Sequence, residues 1–325
     1  MRVKILAAGI AVLAASLSAV AIAETLRSVH FLVPGGAGGG WDTTARVVGR
    51  SLAEAGILDT ASFENMSGAS GGKGVSHMLE TALQNQHVLM VNSTPIIARS
   101  LIPAYGQSWR DLTPIAAVIG DYGAVMVRND SAYTGFDDLF ADLEGSPRGL
   151  TFAGGSTRGG LDHLIIASVF REAGMNPMDA RYVPYDAGGK ALLALLSGEV
   201  DAMSATVGDA IAAHRDGQVR ILAVASPERL KELPSTPTFT ELGFPVEMLN
   251  WRGFFAVPGV PDERREAFVD MLRTLQSLDS WEDEVSRYGW VERFMAGDEF
   301  VQYLESQEAF IGQLMTELGF IEGGR

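Results

Sequence analysis

Two glycine-rich segments hold the residues best suited to chemistry. The first is Gly35-Gly36-Ala37-Gly38-Gly39-Gly40-Trp41-Asp42, and the second is Gly154-Gly155-Ser156-Thr157-Arg158-Gly159-Gly160-Leu161-Asp162-His163. Glycines let main-chain N–H groups approach a ligand without Cβ interference. Each segment also leads into a helical pattern whose first turn carries partial positive charge. Together these features make an anion cradle that needs no lysine. The second segment adds the hydroxyls of Ser156 and Thr157, the guanidinium of Arg158, and Asp162 as the expected cap of its helix. Asp42 reads as a helix N-cap ahead of a ligand contact. His163, in the first turn of its helix, reads as a packing residue or as part of the site. Asn92-Ser93-Thr94 and Thr206 follow strand patterns, where hydroxyl and amide groups either form turns or hold a carboxylate.

Other chemistries fit less well. A phosphate-binding Walker loop ends in Gly-Lys-Ser/Thr, whereas the first segment runs into Trp41-Asp42, and its glycines miss the dinucleotide-binding offsets. Gly68-Ala69-Ser70-Gly71-Gly72 matches a nucleophile elbow, and Ser70-Gly71-Gly72-Lys73 matches Ser-x-x-Lys. An exported serine hydrolase using Ser70 is therefore the alternative function, although Ser-Asp-Asn and Lys-Thr-Gly are both absent from the chain. His30, His77, His87, His163 and His214 show no metal-ligand spacing. There is no cysteine, which removes disulfides, thiolate metal sites and cysteine nucleophiles. No cofactor or metal is expected.

The elements that must position these groups alternate between strand and helix. Strand patterns fall at Val29 to Val33, His87 to Val91, Ile115 to Ile119, Gly123 to Val127, Leu150 to Ala153, Arg181 to Tyr185, Val200 to Ser204, Arg220 to Ala225 and Phe254 to Val257. Helical patterns fall at Asp42 to Ala55, Asp162 to Ala173 and Gly189 to Ser197, and then at Asp262 to Leu278, Trp281 to Tyr288 and Asp298 to Leu318. The alternation predicts an α/β fold with parallel sheets, whose ligands bind beyond the carboxyl ends of the strands. A chain of 325 residues predicts two domains. We assign residues 24–123 with 227–325 to the first, made discontinuous by the returning late helices, and residues 124–226 to the second.

At the N-terminus, Arg2 and Lys4 precede an apolar run from Ile5 to Ile22 that ends in Ala21-Ile22-Ala23. This predicts a signal peptide over residues 1–23, cleaved after Ala23, and a periplasmic product; a membrane anchor is the other reading. The net charge of −15 disfavours nucleic acid and anionic membrane surfaces as partners. An anionic ligand must then be held by local, oriented donors in spite of the global charge.

An ordered set of short motifs resembles one known family, the extracytoplasmic receptors of tripartite tricarboxylate transporters, called TctC or Bug receptors. The set comprises Pro34-Gly35-Gly36-Ala37-Gly38-Gly39-Gly40-Trp41-Asp42 with Ala45-Arg46, Glu64-Asn65-Met66-Ser67-Gly68-Ala69-Ser70-Gly71-Gly72, and the Gly154 to His163 loop. It continues with Val183-Pro184-Tyr185 and Gly188-Gly189, Gly198-Glu199-Val200-Asp201, Leu233-Pro234-Ser235-Thr236-Pro237-Thr238, and Trp251-Arg252-Gly253. Met66-Ser67 stand where the family has Arg-Pro. The resemblance implies a two-domain periplasmic-binding-protein type II fold, a Venus flytrap with mixed sheets and flanking helices. It also implies a small carboxylate held between the domains, partly through water, with Gly35 to Asp42 on one wall and Ser156, Thr157 and their neighbours on the other. The Gly-Gly-Gly-Trp-Asp loop and Arg252 after Trp251 resemble the branch associated with citrate-type ligands. The implied partners are a large permease and a small integral-membrane subunit, served by a monomeric receptor.

Overall fold

The computed structural model describes residues 26–322, so the leader expected over residues 1–23 and its cleavage after Ala23 lie outside the described residues. From the N-terminus, β1 (Ser28–Val33) leads through the first glycine loop into α1 (Gly40–Glu54), β2 (Thr60–Asn65), α2 (Gly72–Glu80), β3 (Val88–Ser93) and α3 (Thr94–Ser100). A long strand, β4 (Thr113–Arg128), precedes α4 (Phe136–Gly145), β5 (Thr151–Gly154), α5 (Leu161–Glu172), β6 (Arg181–Pro184), α6 (Gly188–Ser197), β7 (Ala202–Thr206), α7 (Ile211–Arg215) and β8 (Val219–Val224). The chain finishes with β9 (Leu249–Ala256), α8 (Asp262–Leu275), α9 (Asp279–Arg287), β10 (Val291–Ala296) and α10 (Gly297–Glu317).

The strands follow the order β2-β1-β3-β9-β4-β7-β5-β6, with β8 and β10 also paired to β4. Pairing is parallel within β2-β1-β3 and within β7-β5-β6, and antiparallel wherever β4 or β9 takes part. The purely parallel sheets predicted from alternation alone are therefore not formed. The mixed sheets implied by the family resemblance are.

β4 joins two strand sets. Its residues Thr113–Tyr122 pair with β9, and from Gly123 onward it pairs with β7 and β8. A second segment crosses at the same level. Ala225 N–H donates to Gly123 O at 2.7 Å, Gly123 N–H to Met248 O at 2.9 Å, and Met248 N–H to Ala225 O at 2.9 Å. The sequence divides β4 into two strands because Gly120-Asp121-Tyr122 interrupts its apolar run. In the fold, Gly120 admits the close approach of Leu249 and Val291, and the buried Asp121 is paired with Arg252.

β9 likewise begins five residues before the predicted Phe254, because Asn250 and Arg252 are polar yet buried. β2 and β10 have no counterpart in the predicted strands. β2 is mostly exposed and is anchored by Phe63, which stacks on Phe31 with ring centroids 5.5 Å apart. The three predicted late helices are present, with β10 between the second and third. Trp251 of β9 meets Phe300 of α10 edge-on at 5.4 Å, both fully buried. Each such side chain contributes about 1.5–3 kcal/mol by leaving water. α10 also packs on α3 and β4, which returns the C-terminal chain to the first strand set. Among the described residues no helix is long and apolar enough to cross a membrane.

Candidate ligand-binding cleft

The two glycine loops leave the carboxyl ends of β1 and β5 and share one design. Gly39 N–H donates to Gly36 O at 3.3 Å, and Gly160 N–H donates to Thr157 O at 2.8 Å. The residue at the bend has positive φ in both, +77° at Gly38 and +74° at Gly159, a conformation that favours glycine. In each loop that glycine's N–H is taken by the third residue of the following helix. Gly38 N–H donates to Asp42 Oδ2 at 2.9 Å, and Gly159 N–H donates to His163 Nδ1 at 3.0 Å. Asp42 is therefore not the N-cap expected from sequence; Gly39 is. Asp162 is not a cap either. Gly160 takes that position, while Asp162 accepts from Gly155 N–H at 2.8 Å.

A cavity of about 370 Å³ lies between these loops. Of the residues singled out from sequence, Gly35, Gly36, Gly39, Gly40, Trp41, Ser93, Ser156, Thr157, Arg158, Gly159, Thr206 and Arg252 line it. Six do not. Ala37 and Gly38 form the exposed outer bend of the first loop. Asp42, Asn92, Thr94 and His163 are buried behind the lining. His163 stacks on Tyr182 at 4.6 Å and meets Phe320 at 4.7 Å. Burial, reinforced by Arg158, pushes its imidazole down to about 4. Nδ1 carries no proton because it accepts from Gly159.

Sequence reasoning passed over several lining residues. The loop Ser67–Gly71 faces Thr157 across the cleft, where Ser70 Oγ donates to Thr157 Oγ1 at 3.4 Å. The turn Tyr185–Gly188 is a third strand-to-helix loop. Its Asp186 accepts from Ser67 Oγ at 2.7 Å and from Lys190 Nζ at 3.2 Å. The strand–glycine–helix pattern at Pro184–Gly189 is the signal that could have placed it. Arg99 and Tyr105 also line the cleft, and nothing local in the sequence distinguishes Arg99 from a surface arginine of a short helix.

The three arginines of the cleft differ in their partners. Arg252, only 2% exposed, donates through Nη2 to Asp121 Oδ2 at 2.6 Å and to Thr206 Oγ1 at 3.3 Å. Its Nη1 reaches Gly40 O and Thr44 Oγ1, both at 3.1 Å. A Cβ on Gly40 would collide with this guanidinium, so the last glycine of the first loop is also a packing requirement. Arg252 thus lines the cleft while bound up in a buried ion pair with Asp121. Arg158 is exposed and donates to Tyr182 O at 3.1 Å. Arg99 is buried, and its hydrogen bonds go to neutral acceptors.

Carboxyl groups gather at the cleft floor. Burial pushes Asp121 up to about 6 against the pull of Arg252, and it pushes Asp162 up to about 7, with Asp209 adding to the rise. Burial raises Asp209 as well. Ser70, the nucleophile of the hydrolase alternative, has none of its described hydrogen bonds to a histidine, lysine or carboxylate. Its left-handed backbone, φ +53°, belongs to the bend of a glycine loop.

The family model described as tripartite tricarboxylate transporter family receptor (TctC) matches residues 44–319. A protein of the tcbD–tcbE intergenic region of Pseudomonas sp. strain P51 is 30% identical over 243 residues, covering 72% of this chain and 69% of that one. Protein BugT of Bordetella pertussis is 29% identical over 243 residues, covering 73% of each. Among solved structures, the periplasmic binding protein BugD superposes with a TM-score of 0.80 at 22% identity, covering 90% of this chain and 98% of that one. Rhodopseudomonas palustris Rpa4515, solved with adipate, gives a TM-score of 0.83 at 22% identity, covering 90% and 97%. MatC from the same organism, solved with malate, gives 0.79 at 23% identity, covering 90% and 99%. These likenesses establish the type of fold. With its two glycine loops facing one cleft and the family match over most of its length, the chain belongs to the tripartite tricarboxylate transporter receptors, which are solute-binding proteins and not enzymes.

Proposed function

We propose that this chain is a periplasmic receptor that captures a small organic acid bearing two or three carboxylates, citrate-like in class, between two lobes. The lobes are residues 24–123 with 227–325 and residues 124–226, hinged where β4 changes partners. The receptor, exported by its leader and acting as a monomer, delivers the acid to a large permease and a small integral-membrane subunit. The observation that carries this reading is the pair of like-built glycine loops lining one cavity from opposite strand sets. Loop N–H groups, the Ser156 and Thr157 hydroxyls and helix starts offer donors to an anion that the overall charge of −15 repels. Each hydrogen bond to a charged group contributes about 1.5–3 kcal/mol. The ligand favours the closed arrangement because only there does it touch both walls at once. That related folds were solved with adipate and with malate supports an acid of this class.

The test is thermal unfolding of the mature protein against a panel of di- and tricarboxylates. A rise in unfolding temperature with at least one of them is expected. A panel without any shift refutes the reading.

A further inference from the structure

Of the three arginines that line the cavity, Arg99 is the one that is both buried and without a carboxylate partner. Only 7% of it is exposed. Nη1 donates to Ala69 O at 2.6 Å, Nη2 donates to Gln107 Oε1 at 3.1 Å, and Nε has no partner. Gln107 is itself fixed by donating to Ser76 Oγ at 2.7 Å. The guanidinium lies over the Tyr105 ring, 4.1 Å from its centroid, and a Cβ on Gly72 would collide with it. Four separate elements therefore hold the cation in one place at the cavity wall.

The acidic side chains of the cleft are engaged elsewhere. Asp121 pairs with Arg252, Asp209 takes the Thr206 hydroxyl, Asp162 takes Gly155 N–H, and Asp186 takes Ser67 and Lys190. A buried cation with only neutral acceptors is costly, and a pocket that maintains one is completed by an anion from outside. Pro95, Ala98 and Ile102, close to Arg99 in sequence, add apolar surface to the cavity lining.

We propose that Arg99 forms a second acid subsite, which selects ligands whose two acidic groups are separated by an apolar chain or ring. One acid group goes to the glycine loops and the other to Arg99, with the spacer against Pro95, Ala98 and Ile102. The proposal rests on the receptor reading above and narrows it to spaced diacids.

Isothermal titration of the full mature protein tests it with succinate, adipate, suberate and terephthalate, each beside the monoacid of the same skeleton. The wild type is expected to prefer at least one diacid by about ten- to a hundredfold, the worth of one charge-assisted hydrogen bond. Arg99→Gln should abolish that preference, bringing the diacid and its monoacid to within about twofold of each other. Tyr105→Glu guards against a folding defect at Arg99. It alters a partly exposed side chain, keeps the guanidinium and supplies an internal carboxylate, so the diacid preference should again vanish. Acids that bind without any diacid preference, or a preference that survives in both folded variants, overturn the subsite and leave the receptor intact. If none of the acids, nor citrate, binds the wild type, the receptor reading fails and takes the subsite with it.

Discussion

Replacing Arg252 by Gln separates two roles that its position in the cleft would allow. Its guanidinium is 2.6 Å from Asp121, and both side chains are shielded from water, 3% and 0% exposed. Removing one partner of such a pair leaves the other charge buried and uncompensated, at a cost of about 3–5 kcal/mol. At about 2–4 °C per kcal/mol, the scale for folding units of about 150–250 residues, the unfolding midpoint should drop by roughly 6–20 °C near neutral pH. The pH dependence identifies the cause. Asp121 is already raised to about 6 by burial, and loss of Arg252 raises it further. A raised carboxyl favours the native state while protonated, so this part of the cost is absent below about pH 6. It grows as the pH rises through the variant's own, higher value. Adding Asp121→Asn should recover most of the loss and complete a double-mutant cycle, read by urea unfolding at about pH 5 and about pH 8. A variant that unfolds like the wild type at both pH values but no longer binds carboxylates would refute the argument, because the guanidinium would then serve the ligand and not Asp121.

Two further outcomes follow from the loops. His163 is held down near 4, below its ordinary 6.5, so its contribution to stability is complete above 6.5 and lost as the pH falls toward 4. His163→Gln should remove that acid limb, changing the stability difference from wild type by about 1.4 kcal/mol per pH unit across the window. A pH-independent difference would mean that His163 takes up its proton alike in the native and unfolded protein, so that folding does not lower it. Gly155→Ala should destabilise by about 1–3 kcal/mol and weaken carboxylate binding, because its Cβ would strike the backbone of Ala187 and Gly188 and force two loops apart. Gly145→Ala, whose Cβ meets open space, is the control, and equal effects from the two would show that the loop contact does not matter.

The sequence by itself determined what depends on neighbouring residues. The glycine loops, their repetition and the helices after them are written in short-range spacing, as are the apolar runs of β1, β3, β5 and β8. Twelve of the eighteen residues singled out line the cavity for this reason, since a strand–glycine–helix unit fixes its own geometry locally. The errors within the loops are also local in scale. Asp42 and Asp162 stand three and two positions beyond the true N-caps, Gly39 and Gly160, inside the helices they were expected to cap, and like His163 in its first turn they accept from loop amides.

Tertiary structure alone decided which charges are free. Arg252 meets Asp121 from 131 residues away, and Arg99 meets Ala69 from 30 residues away; no pattern in the linear chain pairs them. A guanidinium is a ligand site or a structural ion according to whether folding brings a carboxylate within a few ångströms. That distance is set by how β4, β9 and the helices pack, which is why the arginine of the recognisable motif is already paired and the inconspicuous one is not.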